Sequence, residues 1–410
     1  MRFSPNDMHN LELAVEKCFD KFSIDELAII SMGFFKSKVP VRNFNTISRI
    51  IDKILENPSA VHEVSLAALL KVIRLSRKIP IDDKIYDLLE KLQCEVSRLS
   101  IMCNVHIALL SCSTLTLHEG CLLKIAEVVL KNITNARIKD FERLVLTFGT
   151  FNLLPQTPDN FIEKVIDELR KPYREQEILT HGRSFACCIA HLGLSGYYPL
   201  DLIEKTLNKP FLEQTYGKYC LSYGREILSL NNFVKIFHKN ANIDLSDKES
   251  LTLAKRYTDY LPDENYAKQY NVTEKLYMDI KRVIESDRGA NYVVGHHIVT
   301  HHQRGDLIIC DDVNNRPVAV QDVFSNIKFG TLCSAPNDNN IWIALIVVGR
   351  NGMLYKDNKP SGHFLSKIRE LNALGFKAAP VCWTYYSECK THEEKLKYIN
   401  TVIKEAKSIR

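Results

Sequence analysis

Apolar residues recur along the first half of the chain with a long period. Ala28-Ile29-Ile30, Ala68-Leu69-Leu70 and Ala108-Leu109-Leu110 stand 40 residues apart, with weaker echoes at Val145-Leu146 and Ala186-Cys187-Cys188. A second helical pattern trails each one: Ile47 to Leu55, Ile85 to Leu92, Leu122 to Leu130, Phe161 to Leu169, and Leu202 to Leu207. Ile85, Leu88, Leu89 and Leu92 sit at i, i+3, i+4 and i+7, one face of a helix. Pro40, Pro80 and Pro158 fall between these patterns, where a helix must break. Ile24-Asp25-Glu26 and Pro80-Ile81-Asp82-Asp83 place acids near helix starts, which suits the helix dipole. One such helix pair cannot bury its apolar face alone, whereas stacked pairs can. The pattern therefore predicts an α-helical repeat solenoid of about five helix pairs over residues 1–235.

From about Asp244 the period becomes irregular. Residues 236–290 read as a helical connector with helices at Ser246–Tyr260, opened by the capping box Ser246-x-x-Glu249, and at Val272–Ser286. Residues 291–410 then read as a small α/β domain. Its strands are predicted at Tyr292–Thr300, Asp306–Cys310, Ile341–Val348 and Lys377–Trp383. Its helices are predicted at Gly362–Ala373, stopped by Gly375, and at Thr391–Ser408. Asn314-Asn315-Arg316-Pro317 and Ala335 to Asn340 supply turns. Counting the helix before it, this order resembles the restriction-endonuclease-like core of the PD-(D/E)xK nucleases.

Composition narrows the partners. The 410 residues are 45% apolar, enough for a sizeable core, and carry a net charge of +5. That balance permits a nucleic-acid partner without demanding one. The twelve cysteines include no CxxC pair, so free thiols are expected and a zinc ribbon is unsupported. No apolar run approaches ~18 residues, so no membrane span is expected. Met1 to Asn10 carry one Arg and one Asp, without the basic, acid-poor character of a mitochondrial transit peptide.

Gly362-His363-Phe364-Leu365-x-Lys367-Ile368-Arg369-x-Leu371-x-x-Leu374-Gly375-Phe376-Lys377 resembles the centre of a RAP domain, which would span about residues 342–400. Ala344 to Gly349 with Leu354 and Tyr355 resemble that family's strand and turn, and Asp306 to Val318 resemble the region just upstream in the FAST kinase domain-containing (FASTK) family. Helical repeats before a RAP domain are also that family's order. Cys382 stands where the family has a proline, and Tyr386 where it has a tryptophan. The resemblance implies a location in the mitochondrial matrix and control of the processing, stability or translation of mitochondrial transcripts. Other RNA-processing proteins are implied as further partners.

Kinase chemistry is unsupported despite that name: there is no Gly-rich phosphate loop, no HRD loop and no DFG triplet. A nuclease of the PD-(D/E)xK type would need carboxylates to hold Mg²⁺ and a lysine near the attacking water. Asp306 and Glu274 are the candidate acids, yet the third strand, Ile343 to Gly349, offers neither carboxylate nor lysine. Asp311 and Asp312 lie beyond the other end of the second strand. His296, His297, His301 and His302 read as partly exposed sheet histidines. Neighbours on a strand face opposite ways and cannot easily share an ion, so no metal is expected.

The candidate RNA-binding residues are Arg350, Tyr355, Lys356, Lys359, His363, Lys367, Arg369 and Lys377 in the C-terminal domain. Cations there can meet phosphates and an aromatic can stack a base. His363 and Lys367 are i and i+4 on one helix and are expected to share a face, while Phe364, Ile368 and Leu371 are expected to pack it on the sheet. In the repeats, Lys71, Arg74 and Lys78 (with Arg77) form a cationic cluster at helical spacing. The expected function is binding of single-stranded RNA without catalysis and without a cofactor. A Mg²⁺-dependent endoribonuclease and a protein-binding helical scaffold are the alternatives.

Overall fold

Among the described residues, polar caps and single 3₁₀ turns cut the N-terminal stretch into nine helices: α1 (Pro5–Cys18), α2 (Ile24–Ser37), α3 (Phe44–Glu56), α4 (Glu63–Leu75), α5 (Asp82–Gln93), α6 (Ile101–Thr114), α7 (Glu119–Lys131), α8 (Ile138–Phe151) and α9 (Phe161–Leu169). This computed structural model describes residues 3–76, 82–156, 159–243, 245–258, 261–265, 271–325 and 327–408. Arg77, Lys78, Pro80, Pro158, Asp244 and Tyr260 lie outside the described residues. The chain divides into two compact units, Met1–Glu175 with Leu354–Lys356, and Gln176–Met353 with Asp357–Arg410.

The first unit is built from two rows. Helices α2, α4, α6 and α8 pack successively along one row, and α1, α3, α5, α7 and α9 along the other. Ala28, Ala68 and Ala108 are all buried, one in each of three successive helices of the first row. Ile85, Leu88, Leu89 and Leu92 are fully buried, as their spacing requires. The starts repeat too: Ser23 and Glu26 form a capping box at α2, and Ser100 caps α6. So do the stops, because α2, α6 and α8 end at left-handed Lys38, Leu115 and Asn152. The 3₁₀ turns at Pro58–Ala60 and Val96–Arg98 are clasped together by Arg98, which donates to the carbonyls of Pro58 (2.8 Å) and Val61 (3.2 Å). Arg174 repeats the device two units on. It donates to the carbonyls of Ile133 and Thr134 (3.1 and 3.2 Å) and pairs with buried Glu168 at 2.7 Å.

The second unit opens with helices α10 (Glu175–Thr180), whose first residue belongs to the first unit, then α11 (Gly182–Leu192), α12 (Leu200–Leu207), α13 (Lys209–Tyr216), α14 (Arg225–Phe237), α15 (Asp247–Tyr257) and α16 (Val272–Arg288). Among the described residues five strands follow, β1 (Val294–His296), β2 (Asp306–Asp311), β3 (Pro317–Val318), β4 (Ile341–Val348) and β5 (Lys377–Cys382). The helices among and after them are α17 (Gln321–Ser325), α18 (Gly362–Ala373), α19 (Trp383–Glu388) and α20 (His392–Ser408). The main path of the sheet is β1-β2-β4-β5, with β3 paired to β2. Neighbours are antiparallel except β4 and β5, which run parallel with α18 as their crossover. Pro380 lies in β5, where an edge strand tolerates a missing N–H.

Side chains alternate between two buried faces of the sheet. Leu307, Ile309, Ile343 and Leu345 pack with α16 and α20, while Ile308, Cys310, Ala344 and Ile346 pack on the side of Leu371 and Phe376. Phe364 and Ile368 lie against the second face, as the sequence predicts.

One strand differs from expectation. Tyr292–Thr300 pairs only at Val294–His296. His296 is opposite Asp306, the first residue of β2, so the backbone beyond His296 has no partner to continue the ladder. The chain turns instead and returns through Gly305, where an added Cβ would stand 3.0 Å from the His296 carbonyl oxygen. Among the described residues, no helix is long and apolar enough to cross a membrane.

Candidate phosphate-binding cluster and interior charge network

Three cations and a histidine gather on the first row of helices. Lys71 and Arg74 lie one turn apart on α4, His106 on α6 and Arg143 on α8. Both cations of α4 are held below their ordinary pKa, Lys71 by burial and then by the charges of Arg143 and Arg74, Arg74 by burial and then by Arg143. His106 is pushed down to about 3, first by burial and then by the same three cations. Asp140 acts on His106 in the opposite sense, but its carboxylate is engaged by Arg137 at 2.8 Å. Among the described residues, no carboxylate pairs with Lys71, Arg74 or Arg143. The Lys71 ammonium lies over the Phe35 ring at 5.9 Å.

Lys71 and Arg74 were legible as a helical-spacing cluster, whereas Arg143 and His106 were not. The repeat itself holds the missed signal: His106 and Arg143 each stand two residues before the recurring apolar motif, at Ala108 and Val145.

A second group of charges lies inside the α/β unit. Asp306 opens β2 with 1% of its surface exposed, and the Lys367 ammonium of α18 stands 2.6 Å from its Oδ1. Lys367 also donates to the Arg304 carbonyl at 2.8 Å. Burial raises the Asp306 pKa above its ordinary value, and the charge of Lys367 opposes that. One turn beyond Lys367, fully buried Glu370 accepts from the Ser366 hydroxyl at 3.0 Å. Its other oxygen stands 3.3 Å from His301 Nε2 and 3.0 Å from His302 Nε2. Burial pushes His302 down to about 3, although Glu370 works the other way.

Two sequence expectations are corrected here. His363 is exposed while Lys367 is buried, so the two do not present one cationic face. One turn of helix separates them, but Lys367 reaches back under the sheet end toward a carboxylate that helical spacing alone does not reveal. His297 and His301 are buried rather than partly exposed, because the chain beyond His296 turns in toward α18 instead of continuing along a sheet edge.

The remaining candidates are dispersed. Arg369 donates to the carbonyls of Gly193 (3.2 Å) and Leu194, anchoring α18 to the turn after α11. Arg350, Lys359 and His363 are exposed, with the Arg350 guanidinium 5.7 Å over the Trp383 ring. Lys377 is half-buried at the start of β5. Tyr355 and Lys356 belong to the first unit, where Lys356 pairs with Asp83 at 3.2 Å and lies 4.5 Å over the Tyr86 ring. Glu274 caps its own helix, accepting from the Asn271 backbone at 2.9 Å. It also lines a small cleft with Tyr277, Arg304 and Gly305. Asp311, at the far end of β2, is occupied by Arg288 at 2.6 Å and Lys407 at 2.5 Å.

No family model matches the chain. It is similar to proteins named FAST kinase domain-containing protein 5, mitochondrial. The protein of Macaca fascicularis is 24% identical over 320 residues, covering 76% of this chain and 40% of that protein. The Mus musculus protein is 23% identical over 326 residues, and the Homo sapiens protein 22% over 320. The chain thus spans about 40% of the length of the curated relatives it matches. The similarity extends over three quarters of the chain and agrees with the resemblance to FAST kinase domain-containing proteins carried by the residues around Gly362–Lys377.

Proposed function

We propose that this protein is an RNA-binding regulator of mitochondrial transcripts, gripping single-stranded RNA without cleaving it. The observation that carries this reading is the cluster of Lys71, Arg74 and Arg143 on adjacent helices with no carboxylate partner among the described residues. Like charges drawn together and partly desolvated are unfavourable on their own. A phosphate group bridging them relieves that repulsion, and guanidinium groups match phosphate oxygens in geometry. The mitochondrial location rests on the family resemblance and on the relatives' names. Residues 342–400 are proposed to be a RAP-type domain that clamps RNA or recruits a processing partner, with exposed Arg350, Lys359 and His363 as its contacts.

A Mg²⁺-dependent endoribonuclease is the second reading, favoured by the 2.6 Å approach of Lys367 to Asp306. Together with the strand order and the parallel β4–β5 crossover, it supports a PD-(D/E)xK-type core whose lysine comes from α18 instead of the third strand. Two features weigh against hydrolysis. Asp306 is closed off from solvent with its ammonium partner, and Glu274 is engaged in capping its helix.

Incubating the chain with a random single-stranded RNA pool and Mg²⁺, then running the products on a denaturing gel, separates the readings. Retained, full-length RNA is expected. Shortened RNA, lost in Asp306→Asn, would establish the nuclease, and neither retention nor cleavage would leave the protein scaffold.

A further inference from the structure

His301 and His302 are consecutive, yet both imidazoles turn to one carboxylate. Their Nε2 atoms stand 3.3 and 3.0 Å from the same Glu370 oxygen, and their ring centroids are 4.3 Å apart. One ligand atom from each of the three residues falls within 4.8 Å of the others. A tetrahedral zinc ion with bonds of about 2.0–2.1 Å holds its ligand atoms about 3.3 Å apart. The two imidazole–carboxylate separations already approach the edges of such a polyhedron. The pair can converge because the chain leaves the β ladder at His296, so alternation no longer separates neighbours.

The surroundings supply two further arguments. Two buried carboxylates lie here: Asp306 is paired with the ammonium of Lys367, whereas the basic groups at the Glu370 carboxylate are the two imidazoles, so with both of these neutral its charge is left without a cation partner among the described residues. The outer contacts are those of a ligand set. The Asn232 amide lies 3.0 Å from His301 Nδ1 and 3.0 Å from the Thr300 hydroxyl. A half-turn of that amide lets its oxygen accept from Nδ1–H and from Thr300, which leaves the His301 Nε2 lone pair free for a metal. The Ser366 hydroxyl holds one Glu370 oxygen and leaves the other toward the imidazoles.

The geometry points to a site for a divalent transition-metal ion, zinc by its donor set, bound by His301 Nε2, His302 Nε2 and Glu370. The ion would tie the turn after β1 to α18, with water or a further donor in the fourth position. It is independent of RNA binding by the first unit.

The test uses the full chain, stripped with a chelator and titrated with Co²⁺ and then Zn²⁺. A cobalt d–d spectrum saturating at one equivalent is expected, without a thiolate charge-transfer band, abolished by zinc and absent in Glu370→Gln. Zinc should also raise the Tm of the stripped wild-type chain. The inference is overturned if the wild-type chain gives neither a cobalt spectrum nor a zinc-dependent Tm. It is equally overturned by a thiolate band, or by a spectrum that survives in a folded Glu370→Gln variant. The wild-type readings decide the matter even if that variant does not fold.

Discussion

Lys367, in the second turn of α18, stands 2.6 Å from Asp306 at the head of β2, and both side chains are nearly sealed from water. The helix that crosses between β4 and β5 is thereby fixed to the strand on the far side of β4 by a charge pair as well as by its apolar face. A buried pair of this kind is costly to break from one side.

Lys367→Met should therefore destabilise the chain by about 3–5 kcal/mol, because it leaves the Asp306 carboxylate buried and unpaired. Adding Asp306→Asn should restore part of that loss, since the uncompensated charge is gone. Urea denaturation of the two single variants and the double variant measures the coupling. Strict additivity would show that the two groups do not act as a pair.

The two arginine clasps in the helical rows should differ in strength. Arg174 and Glu168 are both buried, whereas Arg98 is more than a third exposed. Arg174→Met should cost about 3 kcal/mol or more, and Arg98→Met about 1 kcal/mol or less. Thermal or urea unfolding of the two variants compares them, and equal losses would contradict the assignment of burial as the cause.

His106 makes the first unit sensitive to acid. Its folded pKa is pushed down to about 3 from an ordinary 6.5, so the folded state keeps it neutral while the unfolded chain takes up a proton between those values. Its contribution is complete above about pH 6.5 and is lost as pH falls toward 3. The slope from one such group is at most about 1.4 kcal/mol per pH unit. The groups facing it are Lys71 and Arg74 from α4, Arg143 and Asp140 from α8. His106→Leu should lose this part of the pH dependence in urea titrations between about pH 7 and pH 5. An unchanged slope would mean that His106 titrates normally in the folded chain.

Much of this architecture is legible from residues alone. The eight-residue apolar run Ile341–Val348 is the central strand with its predicted bounds, and Gly362–Ala373 is a helix that stops before left-handed Gly375, as predicted. Both signals are local: a continuous apolar run between turns, and a helical period closed by glycine. The 40-residue spacing of Ala28, Ala68 and Ala108 reports stacking because each unit repeats the same burial. What the residues did not reveal depends on partners far away in sequence. The inward turn of Lys367 is set by Asp306, and the convergence of His301 and His302 is set by where β2 begins. The carbonyl clasps of Arg98 and Arg174 depend on the preceding 3₁₀ turn, which no apolar period marks. Arg143 joins Lys71 and Arg74 only once α4, α6 and α8 are stacked side by side.

The most direct test of the account is the salt dependence of RNA binding by the wild-type chain and by a Lys71→Gln/Arg74→Gln/Arg143→Gln variant. Counterion release gives a log–log slope of about 0.7 per phosphate neutralised on a single strand. If the three cations each meet a phosphate, the variant should bind more weakly and its slope should be shallower by about 2. A folded variant with the wild-type slope and affinity would contradict the assignment of this cluster as the RNA grip.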